Sequence, residues 1–182
     1  MRTTLHKLIV ITGPVGAGKS TTGVALAATL RRAGVEVALL DLDELYLIVR
    51  QQDGYGEPAA WARARHGAGA LASALFSTAM AVVIVEGEFF SADELDALLT
   101  PIPADVIRYV FTLRVSYARV LAHVQGDPSR GASRDPAFLH WLHTSFVQAL
   151  PFLEHASTVL DTDALTLEQI VARIVAALDE HR

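Results

Sequence analysis

The sequence predicts an α/β fold: a three-layer sandwich in which five parallel strands lie between two layers of helices. Three observations predict it. Short, wholly apolar runs recur, among them Leu8-Ile9-Val10-Ile11 and Ala81 to Val85 (AVVIV), and parallel strands, buried on both faces, read in this way. Helical stretches fall between these runs, the alternation that right-handed crossovers require. Polar residues then collect at the carboxyl ends of the runs, the edge at which such sheets bind ligands.

In chain order, residues 7–12 form the first strand and 20–33 an Ala/Leu-rich helix that stops at Gly34, a C′ glycine. Val35 to Leu40 is the second strand and ends at Asp41-Leu42-Asp43-Glu44, with a short helix expected from Glu44. A polar loop, 51–57, leads to a long helix over 58–80, with a break expected near Gly67 and Gly69. Residues 81–85 are the third strand, closed by Glu86-Gly87-Glu88. Ser91 caps the next helix, with Glu94 at the capping-box position. Residues 106–113 are the fourth strand, 116–124 and 138–153 helices, 158–160 the fifth strand and 165–178 the closing helix.

At 182 residues, one domain (1–182) is expected. Apolar residues make up 52% and charged residues 19%, which suits a packed globule and excludes a disordered or fibrous chain. The longest apolar stretch is too short to span a bilayer, and Met1 to Ile11 leads straight into a glycine-rich loop, so neither a membrane partner nor a signal peptide is expected. The absence of cysteine excludes disulfides and thiolate metal sites and fits a cytoplasmic location. A net charge of −5 speaks against a nucleic-acid partner.

Residues 13–20, Gly-Pro-Val-Gly-Ala-Gly-Lys-Ser, match G-x-x-x-x-G-K-[ST] between a strand and a helix. Gly13, Gly16 and Gly18 let the backbone curl round an anion, while Pro14, Val15, Ala17 and Thr21 complete the cradle and the helix start. Lys19 offers a point charge to the β/γ-phosphates and Ser20 a hydroxyl to Mg²⁺. Lys19 is one of two lysines, against thirteen arginines.

Asp41 and Asp43 end the second strand and Glu86 the third. Phosphoryl transfer needs a carboxylate on the metal side and often another for the acceptor's proton. Asp43 is the candidate base, and Asp41 or Glu86 the metal-side acid; the competing role for either aspartate is to cap the following helix. Glu88 faces the acceptor or is a solvated turn acid. Arg130 and Arg134 stand in a Gly/Pro-punctuated segment, about 125–136, with the composition of a lid whose guanidinium groups would close on a triphosphate and exclude water. Arg119 either lies under the same phosphates or is a surface helix residue. Arg63 or Arg65, beside Trp61, either binds an anionic substrate group or belongs to a solvated face. His140 and His143 stand three apart, but without a third ligand they read as structural.

With this loop, the Asp-x-Asp at the second strand end, the arginine segment and Leu160-Asp161-Thr162-Asp163, the chain resembles the small P-loop kinases: shikimate, gluconate and adenylylsulfate kinases and chloramphenicol phosphotransferase. The resemblance implies a P-loop nucleoside triphosphate hydrolase fold with strand order 2-3-1-4-5, ATP and Mg²⁺ as cofactors, a lid carrying Arg130 and Arg134, an adenine-bordering segment after Asp161, and acceptor contact by Asp43. Glu86-Gly87-Glu88-Phe89-Phe90 stands where shikimate kinases have a glycine triplet, and Phe146 to Leu150 lacks their substrate arginine. Shikimate is therefore not the expected acceptor. Phe89, Phe90, Trp61 and Tyr55 point to a less polar one. The expected function is Mg-ATP-dependent transfer of the γ-phosphate to a small-molecule hydroxyl. The rivals are a nucleotide-dependent switch or slow NTPase, and a nucleic-acid 5′-hydroxyl kinase that would need a basic groove. The acceptor and the oligomeric state are not legible.

Overall fold

The computed structural model describes residues 5–126 and 135–180. Its strands are β1 (Lys7–Thr12), β2 (Val37–Asp41), β3 (Val82–Glu86), β4 (Ile107–Arg114) and β5 (Thr158–Asp161). They pair in parallel in the order β2-β3-β1-β4-β5, as the resemblance implied. The helices are α1 (Lys19–Arg32), α2 (Leu42–Val49), α3 (Pro58–Phe76), α4 (Ala92–Leu99), α5 (Tyr117–Gln125), α6 (Pro136–Ala156) and α7 (Leu167–Asp179).

Side chains alternate across a strand, so β1 feeds two cores at once. Ile9 and Ile11 pack with Leu26 of α1, Val120 of α5 and Ile174 of α7. Leu8 and Val10 face the other way, onto Tyr46 of α2, Ala64 and Ala68 of α3 and Leu98 of α4. The same alternation in β3 puts Ile84 on the first face and Val83 and Val85 on the second. Register then fixes the edge that matters: Glu86 pairs with Ile11 on one side and with Asp41 on the other.

Three local expectations are corrected. α2 starts at Leu42 rather than Glu44, because the Asp41 carboxylate accepts from the Asp43 N–H at 2.8 Å and caps the helix. Ser91 caps α4 as expected, accepting from the Glu94 N–H, but the Glu94 carboxylate turns to the Phe90 N–H and to Arg65 instead of closing a capping box.

α3 runs unbroken through Gly67 and Gly69 to Phe76. Gly69 is there for closeness: a Cβ on it would lie 2.1 Å from the Leu98 carbonyl oxygen, so the glycine lets the end of α4 settle on α3. A Cβ at Gly67 meets nothing. Gly69→Ala is therefore expected to destabilise by about 1–3 kcal/mol through overpacking, although alanine is the better helix former. Gly67→Ala is expected to stabilise by up to about 1 kcal/mol. Urea unfolding of the two variants checks the pair; equal effects of one sign would remove the contact argument.

Candidate active site

The loop between β1 and α1 has the conformation its glycines allow. Gly16 and Gly18 take φ of +78° and +90°, in the left-handed region that favours glycine. Gly13 passes so close to β4 that a Cβ would stand 2.6 Å from the Leu113 carbonyl oxygen. Behind the loop, Val120 and Val124 of α5 pack under Gly16, and His123 Nδ1 lies 3.3 Å from the Gly16 carbonyl oxygen. α1 opens with no side-chain cap and no acid in its first turn. Its free N–H groups and its dipole thus meet no competing carboxylate on their own helix, as an anion cradle requires. The Lys19 ammonium curls back over the loop, donating to the carbonyls of Gly13 (2.9 Å) and Pro14 (3.1 Å). Ser20 and Thr21 are exposed at the mouth.

Three strand and helix ends bring carboxylates to this ammonium. Glu88 stands 3.8 Å from Lys19. The turn that carries it is tied down twice, by the Phe89 N–H donating to the buried Thr12 hydroxyl (3.0 Å) and by Arg65 donating to the Glu88 carbonyl (3.0 Å). Gly87, between the two glutamates, lies against α2; a Cβ there would be 2.6 Å from that of Leu42. The close approach sets the Glu86–Glu88 turn beside the Asp41–Asp43 turn.

Glu86 is only 4% exposed. Burial pushes its carboxyl up to about 7; Asp41 and Asp43 push the same way, and the Ser20 hydroxyl and Lys19 oppose them. Burial likewise raises Glu88, with Lys19 opposing and Asp43 reinforcing. Asp43 itself is exposed in the first turn of α2. Its field reaches Glu86, Glu88 and Tyr55. The geometry thus gathers Ser20, Asp41, Asp43, Glu86 and Glu88 around Lys19, on one edge of the sheet.

Other candidates lie elsewhere or are engaged. Arg63 is half-exposed, ion-paired with Glu57 and donating to the Val49 carbonyl. Arg65 does not lie on a solvated face: it is 8% exposed and pairs with Glu94 (2.9 Å), and its guanidinium sits 5.8 Å from the Trp61 ring centroid and 5.9 Å from that of Phe89. Burial lowers its pKa, against the pull of Glu94 and Glu88. Arg119 reaches β5's exit, donating to the Asp163 carbonyl (3.3 Å) with the Asp163 carboxylate at 3.9 Å. His143 meets the Val115 carbonyl, and no acid or histidine cluster among the described residues is arranged to hold a metal by itself. Arg130 and Arg134, with most of the expected lid, lie outside the described residues.

The contacts of Thr12 and His123 are not legible in the sequence. A threonine at a strand end and a histidine on a helix carry no local sign of contacts made 77 and 107 residues away.

The sequence model for adenylylsulphate kinase matches residues 6–88, which take in the loop and Asp41, Asp43, Glu86 and Glu88. No curated protein sequence matches the chain significantly. Among solved structures, a gluconokinase from Sinorhizobium meliloti superposes with a TM-score of 0.69 at 18% identity, over 98% of this chain and 94% of that one. The adenylylsulfate (APS) kinase of Mycobacterium tuberculosis in complex with AMPPNP and APS gives 0.67 at 13% identity, over 97% and 99%. Shikimate kinase from Acinetobacter baumannii in complex with shikimate gives 0.64 at 17%, over 98% and 96%.

The chain has the fold of these small kinases. Within that fold the acids of β2 and β3 stand beside the phosphate loop, and among the described residues no helix is long and apolar enough to cross a membrane.

Proposed function

We propose that the protein is a Mg-ATP-dependent phosphotransferase acting on a hydroxyl of a small molecule. The observation that carries the reading is the convergence of Lys19, Ser20, Asp43, Glu86 and Glu88 at one sheet edge. The residues suit Mg-ATP. The loop is a cradle without side-chain competition, and a buried glutamate beside a serine hydroxyl and two further acids is where a divalent cation would be favoured. Bound there, Mg-ATP supplies an electrophilic terminal phosphorus.

The chain's own residues do the rest. Loop N–H groups and Lys19 would hold the phosphates; Ser20, with Glu86 or Asp41, would hold the metal side. Asp41 already has one oxygen on the α2 cap, which favours Glu86. Asp43 orients the acceptor and takes its proton as the acceptor oxygen bonds to phosphorus and the bond to ADP breaks. Arg130 and Arg134 would neutralise charge on the transferring phosphate and exclude water. We read residues 1–182 as one domain and the location as cytoplasmic.

The test is transfer of labelled γ-phosphate from Mg-ATP to a broad panel of sugars, cyclitols, alcohols and hydroxylated antibiotics. A phosphorylated product is expected. Tight ATP binding with no transfer to any compound, and no compound that redirects hydrolysis, would instead leave a nucleotide-dependent switch.

A further inference from the structure

Glu94 stands where a capping box would use it and does something else. With Ser91 as the α4 cap, a glutamate three residues on would ordinarily accept from the Ser91 N–H. Instead one carboxylate oxygen accepts from the Phe90 N–H (2.6 Å) and the other meets Arg65 (2.9 Å). The same Arg65 nitrogen, Nη2, also donates to the Glu88 carbonyl (3.0 Å).

The turn that carries Glu86 and Glu88 is held from β1 as well. The Gly87 N–H donates to the Ile11 carbonyl (3.1 Å) and the Phe89 N–H to the Thr12 hydroxyl (3.0 Å). Residues 87–90 thus each commit one backbone group to a partner outside the turn. Thr12 is fully buried and is the last residue before Gly13, so its hydroxyl ties the acid turn to the strand end that enters the phosphate loop.

Stability alone is a poor account of this clamp. An apolar side chain in the gap between Trp61 and Phe89 would avoid the cost of desolvating a guanidinium, and a buried ion pair seldom offsets that cost. What the pair secures is the direction of the Phe90 N–H and the Glu88 carbonyl, and with them the course of the turn.

We propose that Thr12, Arg65 and Glu94 are positioning residues: they set the Glu86–Glu88 turn against the phosphate loop, and so set how strongly Mg²⁺ tightens the hold on nucleotide, without touching either ligand. The proposal rests on the kinase reading and names what keeps its metal side in place. The loop has separate support, since the Ala17 N–H closes on the Pro14 carbonyl (3.1 Å) and Val120 and Val124 lie beneath Gly16. Loosening the turn therefore leaves the loop's grip on phosphate intact while the acids beside it lose their aim.

Thr12→Val, Thr12→Ser and Arg65→Met test this in the intact protein. Valine has nearly the shape of threonine and no oxygen for the Phe89 N–H; serine keeps the oxygen; methionine fills the apolar gap without donors. Amide hydrogen exchange at Phe89 is followed by NMR. Calorimetry gives the affinity for a non-hydrolysable ATP analogue with and without Mg²⁺. In Thr12→Val the Phe89 amide is expected to exchange about ten-fold faster or more, relative to that of Ile9 in β1. Without Mg²⁺ the analogue is expected to bind within about two-fold of the parent, and the gain on adding Mg²⁺ to shrink on the order of ten-fold, the scale of one lost buried hydrogen bond. Arg65→Met is expected to lose the gain likewise, and Thr12→Ser to keep it.

A parent-like gain in Thr12→Val or in folded Arg65→Met overturns the assignment. So does a gain lost in Thr12→Ser, a fall in Mg²⁺-free affinity that matches the fall with Mg²⁺, or a parent whose affinity Mg²⁺ leaves unchanged. If the Mg²⁺ effects appear as stated and no hydroxyl compound takes phosphate, only the kinase reading falls.

Discussion

Asp43→Asn is expected to lower the rate of phosphate transfer by about 10²–10⁴-fold, the range that a positioned general base contributes. The same variant is expected to leave nucleotide affinity nearly unchanged. The reasoning is geometric. Asp43 sits in the first turn of α2, one residue pair beyond the end of β2, where its field reaches Glu86 and Glu88 but the phosphate loop is held by other groups. Asparagine keeps the shape and the backbone N–H that the Asp41 cap uses, and so removes only the proton acceptor. A fall in kcat with KM for ATP unmoved, in steady-state assays on an acceptor found by the panel, is the expected signature. Loss of ATP binding in parallel would mean that Asp43 serves the nucleotide. An unchanged kcat would remove it from the chemistry and favour the switch reading.

How much of this was readable without coordinates follows from the range over which each feature is determined. Residues 13–20 and the apolar runs before and after them are local patterns, and the strand order came from the resemblance they carry. Asp41 and Glu86 were placed at strand ends by the same local reading; that their Cα positions pair directly needed the register. The break expected at Gly67 and Gly69 failed because helix propensity is a weak local preference, and contact with α4, about thirty residues later in the chain, decides Gly69. Arg63 and Arg65 look alike in the sequence and differ only in what faces them. A helix turns by about 100° per residue, so positions two apart lie on different sides. One meets Glu57 at the surface, the other Glu94 and the Glu88 carbonyl in the interior.

Glu86→Gln is expected to separate what the site costs in stability from what it provides in binding. The unfolded carboxyl ionises near 4.5 and the folded one at about 7. Between these values the folded chain keeps a proton that the unfolded chain has lost, so stability falls as pH rises through 4.5 to 7 and the penalty is complete above 7. The gap corresponds to about 3 kcal/mol, and with the side chain buried little of it is screened away. Glutamine has nearly the same volume and no charge. The variant is therefore expected to be more stable than the parent by about 1–3 kcal/mol at pH 8, the advantage shrinking toward zero as pH approaches 4.5. Denaturant unfolding across that range, without nucleotide or Mg²⁺, measures it; a difference independent of pH, or a loss at pH 8, would mean that Glu86 does not carry the buried charge. In the same variant Mg²⁺ is expected to enhance ATP affinity less, because the acid beside Ser20 is gone, and the proton released when the parent binds Mg-ATP near pH 7 should disappear with it. Were the metal side held by Asp41 instead, Glu86→Gln would gain the stability and keep the Mg²⁺ dependence.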